Sequence, residues 1–140
     1  MIRWIGAAIA VLLAMQRYPM PRTNPPVETE IPASDAVREV LRRSCYDCHS
    51  NETKWPWYAH VAPTKFFVVD HVEEGRRHMN FSTWNAFGAK KRAKRLREIM
   101  EEIDEAEMPL PSYLRLHADA KLSSKEKDLL RIWSEGPVAR

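Results

Sequence analysis

Two cysteines occur in the chain, and both lie in one pentapeptide, Cys45-Tyr46-Asp47-Cys48-His49. Two thiols separated by two residues can hold a metal, cycle as a dithiol, or add to the vinyl groups along one edge of a porphyrin. A zinc ribbon needs a second cysteine or histidine pair at suitable spacing, and no second cysteine pair exists. A thioredoxin-like pair belongs beside a βαβ pattern, which the sequence lacks. The histidine after the second cysteine fits the third chemistry. With both thiols bonded to the porphyrin edge, the next residue comes beneath the ring, where an imidazole nitrogen can bind iron. The motif therefore predicts one covalent haem c, attached through Cys45 and Cys48, with His49 as an axial iron ligand.

The surrounding sequence predicts an all-α domain. Only four glycines occur in 140 residues, too few for a turn-rich β-sandwich. Ser34 is a candidate N-cap, with Val37, Val40 and Leu41 at helical spacing behind it, and this helix runs directly into Cys45. A second helix is expected from near Pro63 to Gly75, although Phe66, Phe67, Val68, Val69 and Val72 would also suit a strand. A third, over about 89–106, carries Leu96, Ile99, Met100 and Ile103 on one stripe. The last begins with a capping box at Ser123 and Glu126, turns Leu129, Leu130 and Trp133 inward, and ends at Gly136 and Pro137. A chain of this size builds an adequate core without surplus, so a bound cofactor would supply much of the apolar interior.

Ahead of this domain lie two segments of different character. Residues 1–17 begin Met1-Ile2-Arg3, continue as an apolar run from Trp4 to Met15, and close with Gln16 and Arg17. A positive start and a short apolar run have the form of an export signal. The run is shorter than the roughly 20 residues of a full span, and no small-x-small cleavage site follows it. A short retained membrane anchor is the other reading. Both place the rest of the chain on the periplasmic side. Residues 18–33 hold Pro19, Pro21, Pro25, Pro26 and Pro32, which favour an extended linker over a helix. The haem c domain is then expected over 34–140.

Candidates for the second axial ligand are Met79, Met100, Met108, His60, His71, His78 and His117. Met100 sits on an apolar helical stripe, where core packing explains it better. Met79 and His78 lie in a polar stretch that suggests surface exposure, and His117 is expected in a solvated loop. Met108 stands in Glu107-Met108-Pro109-Leu110-Pro111, whose prolines stiffen a loop able to hold a thioether over the iron. Met108 is therefore the expected ligand. Trp55, Trp57 and Tyr58 could wall the haem edge and donate to its propionates, or simply pack. Arg76 and Arg77 suit carboxylates in a two-pronged way, or are solvated.

The net charge of +3 is too weak to indicate nucleic acid, and the aromatics are not interleaved with basic residues. Charge is concentrated in the third helix, where Lys90, Lys91, Arg92, Lys94, Arg95 and Arg97 precede Glu98, Glu101, Glu102, Asp104, Glu105 and Glu107. This polarity opposes the helix macrodipole. It reads as a solvated face joined by pairs one turn apart, or as a basic patch for an acidic redox partner.

A helix, a C-x-x-C-H motif, a later methionine loop and a closing helix resemble the class I cytochrome c plan, in which first and last helices cross beside the haem. Three blocks resemble more closely the small haem-binding domain family of exported bacterial c-type cytochromes. These are Ser44–Thr53 with Trp55-Pro56-Trp57-Tyr58, then Gly75–Ser82 with Trp84, then Glu107–Tyr113. The resemblance implies a mono-haem c domain with His49 as the proximal ligand. One-electron transfer is the expected function, as a carrier or as a subunit of a membrane redox complex, rather than enzyme catalysis. The alternatives are a haem sensor or peroxidase-like enzyme with an open sixth iron position and His78 or His60 as distal acid–base group, and a bracing subunit whose redox activity is incidental.

Overall fold

A computed structural model describes residues 2–136, with Pro137 outside that range. Seven α-helices are present among the described residues: α1 (Ile2–Arg17), α2 (Asp35–Ser44), α3 (Tyr46–His49), α4 (Thr64–His78), α5 (Ala89–Asp104), α6 (Pro111–Leu114) and α7 (Ser124–Glu135). Short 3₁₀ turns lie at Trp57–His60, Phe81–Ala86 and Ala118–Ala120, and the described residues contain no strand. The expected all-α class is what the chain forms.

Local chemistry sets the helix ends. The Ser34 hydroxyl accepts from the Val37 N–H at 3.4 Å and starts α2. Val37, Val40 and Leu41 are buried on its inner face. In α7 the Ser123–Glu126 capping box is complete, with Leu130 and Trp133 buried and Leu129 half-buried against the core. α2 and α7 pack together at the motif end of the domain. Arg43 bonds Glu126 across them at 2.6 Å, and the Trp133 indole donates to the Pro32 carbonyl at 3.0 Å. α5 closes the other side of α7 with Leu96, Met100 and Ile103 buried, as the apolar stripe requires.

Two helix ends differ from expectation. α4 is a helix, not a strand, and continues through Gly75 to His78. Gly75 is not a stop signal, because it serves a close approach: a Cβ there would stand 2.7 Å from the Cys48 carbonyl oxygen. α5 stops at Asp104 and is closed by a Schellman arrangement, with Glu107 N–H donating to Glu102 O at 3.0 Å and Ala106 N–H to Ile103 O at 3.3 Å. Ala106 occupies the left-handed position at φ 59°, where glycine is usual.

The proline-rich stretch 18–33 is extended, and it is bonded along the domain. Asn24 donates to Thr53 O at 2.9 Å, Asn51 to Pro26 O at 2.8 Å, and the Glu28 and Thr29 N–H groups both reach Ser82 O at 3.0 Å. Ile31 is fully buried in the core beside Tyr46, Phe81 and Trp84. By contrast α1 leaves most of its apolar side chains exposed. No helix among the described residues is long and apolar enough to cross a membrane.

Candidate functional site

α2 delivers the motif. Its last carbonyls continue into α3, where Cys48 N–H and His49 N–H both donate to Cys45 O, at 3.2 and 2.9 Å. Cys45 and Cys48 are free thiols within this single turn. Burial pushes the Cys45 thiol up to about 12, helped by Cys48 and opposed by Arg43. Burial pushes Cys48 up to about 11, helped by Asp47 and opposed by Arg76. Both are therefore protonated at neutral pH, unlike the low-pKa thiolate of a redox dithiol. No cluster of three potential metal-binding side chains from His, Cys, Asp and Glu occurs among the described residues, so the zinc reading lacks partners as well.

His49 is held by backbone. Its Nδ1 lies 3.0 Å from Gly75 O and 3.2 Å from Met79 O. Two carbonyls accept only, so Nδ1 carries the proton and Nε2 keeps its lone pair. Burial pushes the imidazole pKa down, against those two carbonyls, and the neutral form is kept. A neutral imidazole with one nitrogen tied to a carbonyl is the usual preparation of a metal-binding histidine.

Asp47, between the two cysteines, joins the motif to later parts of the chain. It accepts from Lys54 N–H at 3.0 Å and from the Tyr113 hydroxyl at 2.8 Å. The Tyr113 ring stacks on His117 with centroids 4.1 Å apart, and the Tyr58 hydroxyl bonds His117 Nε2 at 2.6 Å. Thus His117 is a packed, hydrogen-bonded residue and not the solvated loop residue expected. Arg76 is neither solvated nor free for a carboxylate: it donates to Ser50 O, Thr23 O, Asn24 Oδ1 and Thr53 Oγ1 at 2.7–3.0 Å. Arg77 is exposed.

The remaining candidates separate by burial. Met79 is buried in the core rather than exposed, and Met100 packs there as expected. Met108 is half-buried in the turn between α5 and α6, its N–H donating to Glu102 O at 3.1 Å. His60, His71 and His78 are exposed. Trp57 is 75% exposed and packs edge-on to Tyr58, while Trp55 is half-buried.

Beside the motif opens a cleft of about 780 Å³, lined by Arg38, Arg42, Arg43, Asp47, Trp55, Tyr113 and His117 among others. Its volume suits a cofactor, although Cys45, Cys48 and His49 do not line it. Two lining donors, Trp55 Nε1 and Arg43 Nε, are buried with no acceptor among the described residues. A buried donor without a partner is costly, and a cofactor bearing carboxylates would satisfy both. Free paired thiols, a histidine with a free Nε2 and two orphan donors nearby form a set that fits a haem.

Sequence reasoning did not find the roles of Gly75, Met79, Asp47, Tyr113 and Arg76. Gly75 and Met79 act through carbonyls, which no side-chain pattern announces; Asp47 and Tyr113 were visible only as members of conspicuous blocks.

No curated protein and no solved structure matches the chain significantly. The profile of the haem-binding domain family matches residues 9–136, leaving out only eight residues at the start of the 140 and four at the end. The chain therefore belongs to the haem-binding domain family.

Proposed function

We propose that this protein is a mono-haem c-type cytochrome that transfers single electrons on the periplasmic side of the cytoplasmic membrane. The observation that carries the reading is the His49 arrangement: Nδ1 faces two backbone carbonyls, and Nε2 is left as an acceptor one residue after a free C-x-x-C pair. Cys45 and Cys48 would hold the haem through two thioethers, and His49 Nε2 and Met108 Sδ would be the groups that bind its iron. When bound, the haem supplies a one-electron ferrous–ferric couple, and His–Met ligation raises its potential relative to bis-His.

The rest follows from what the chain itself provides. Gly75 and Met79 carbonyls orient the imidazole and fix its tautomer. The Tyr113–Asp47 bond draws α6, just beyond Met108, onto the motif. Trp55 and Arg43 present N–H groups for the propionates, a role in which Trp55 suits better than the exposed Trp57. Tyr58 holds His117 at the cleft. The exposed Lys90, Lys91, Lys94 and Arg97 at the start of α5 border a shallow cleft of about 540 Å³ and form a basic surface for an acidic redox partner.

One observation favours a second reading. His117 lines the cleft with Tyr113 and is bonded by the Tyr58 hydroxyl, whereas the exposed His60 and His78 do not line it, so an open sixth position with acid–base chemistry would use His117. Optical spectra of the holoprotein in both oxidation states, for wild type and Met108→Ala, separate the two. A low-spin ferric form whose far-red sulfur-to-iron band disappears in Met108→Ala is expected. A high-spin wild type that binds cyanide readily would overturn the carrier reading. Absence of covalent haem in the intact mass would overturn c-type attachment.

A further inference from the structure

α1 and its junction with the domain are not explained by haem binding. The helix exposes Trp4 at 80% and also Ile5, Ile9, Val11, Leu12 and Leu13, and no polar residue interrupts the run from Trp4 to Met15. Sixteen residues extend over roughly 24 Å at 1.5 Å each. Arg3 and Arg17 bracket the run, Arg22 follows, and no acidic residue occurs before Glu28.

The C-terminal end of α1 is gripped. The Gln16 side chain donates to His60 O at 2.9 Å and accepts from Ala62 N–H at 2.8 Å. Lys65, only 3% exposed, donates its ammonium to Gln16 O at 2.8 Å and Tyr18 O at 2.7 Å. A buried cation needs such partners, and free carbonyls at a helix C-terminus are the favourable ones. The Lys65 ammonium also lies 5.1 Å from the Phe66 ring, against which Tyr18 packs. Removing residues 1–17 would take away Gln16 O and leave the buried ammonium one of its two carbonyls.

We propose that α1 is retained as a short anchor that embeds in the apolar layer of an anionic bilayer, and that Gln16 and Lys65 lock its end to the domain. Lipid is the occupant because the helix has no polar stripe to face water or register a partner helix, and its flanking charge is solely positive. The lock makes the anchor a rigid extension of the domain, so the motif is held in a set orientation at the membrane surface.

The test uses the full-length protein. Intact mass of material from the membrane fraction should include residues 1–17, and their absence would overturn retention. In flotation with vesicles of phosphatidylcholine and phosphatidylglycerol, the wild type should float. A Leu12→Asp/Leu13→Asp variant should partition at least about 100-fold less, given the cost of acids in the apolar layer. A wild type that stays with the soluble fraction, or that only self-associates, would overturn lipid as the occupant. Trypsin cleavage after Arg17 in vesicle-bound protein reads the lock. Lys65→Met and Gln16→Ala should each accelerate it about tenfold with unchanged helix content. Gln16 is on the outer side, so its variant remains informative if Lys65→Met folds poorly. Unchanged cleavage in Gln16→Ala would overturn the lock.

Discussion

Gly75→Ala isolates the contact on which the site geometry depends. In an ordinary helix interior this substitution gains up to about 1 kcal/mol. Here the new Cβ would lie 2.7 Å from Cys48 O and 3.2 Å from Cys48 C, against the 3.4 Å at which ordinary contact begins. Both groups are backbone, so α3 and α4 must separate by about 0.7 Å. Such overpacking costs roughly 1–3 kcal/mol. The clash wins, and the net destabilisation should be about 1–2 kcal/mol, or a Tm lower by about 4–8 °C. The displacement also lengthens the bond from His49 Nδ1 to Gly75 O, now 3.0 Å. Urea unfolding of the holoprotein, followed in the visible and far-ultraviolet, measures both effects. Gly88→Ala, where a Cβ meets nothing within 4 Å, should cost no more than ~0.5 kcal/mol, the loss of a glycine cap. A Gly75→Ala protein as stable as wild type, with an unchanged spectrum, would refute the close-packing argument.

Three other perturbations probe separate parts of the frame. The Glu126 carboxyl is held at about 2 by the Ser123 N–H and hydroxyl and by Arg43, against an ordinary value of 4.5. Its folded-state pKa is depressed, so its contribution is complete above about pH 5 and is lost as pH falls toward 2. The full shift corresponds to ~3 kcal/mol, which partial exposure of the side chain, 23%, reduces to about 1–2 kcal/mol. The stability gap between wild type and Glu126→Gln should therefore narrow by that amount between pH 6 and pH 2 in urea titrations. Ala106→Gly relieves the left-handed strain at φ 59° and should raise stability by about 1 kcal/mol; an unchanged unfolding midpoint would count against strain there. Tyr113→Phe deletes the donor to Asp47 and should cost about 1–2 kcal/mol, with faster proteolysis near α6.

Much of this frame is legible in the sequence because it rests on side chains acting locally. Ser34, the Ser123–Glu126 box and the stripe Leu96–Met100–Ile103 announce their helices through capping chemistry and period. The three-dimensional partnerships are less legible. Met79 sits among polar residues yet is buried, because the turn after α4 folds its side chain under the core. His117 looks solvated until Tyr58 and Tyr113, both distant in sequence, close on it. Arg76 looks like a ligand for carboxylates until the extended segment around Thr23 and Asn24 lies across it.

The largest gap between sequence and site is the support of His49, and its cause is physical. Its three closest determinants are the carbonyls of Gly75 and Met79 and the missing Cβ at Gly75. Each of these is a backbone property, and a carbonyl is the same on every residue. The two positions should therefore respond differently to substitution. Residue 79 supplies its oxygen whatever side chain it carries, so a Met79 replacement of similar volume keeps the histidine bond and alters only core packing. Residue 75 supplies an oxygen and also an absence, and only glycine provides both. Met79→Leu should accordingly retain the wild-type haem spectrum at a cost under about 1.5 kcal/mol, whereas Gly75→Ala should lose both stability and spectrum. If Met79→Leu instead abolished the far-red band while Met108→Ala left it intact, Met79 and not Met108 would be the sulfur ligand, and α4 would contribute to the site through its side chain as well as its backbone.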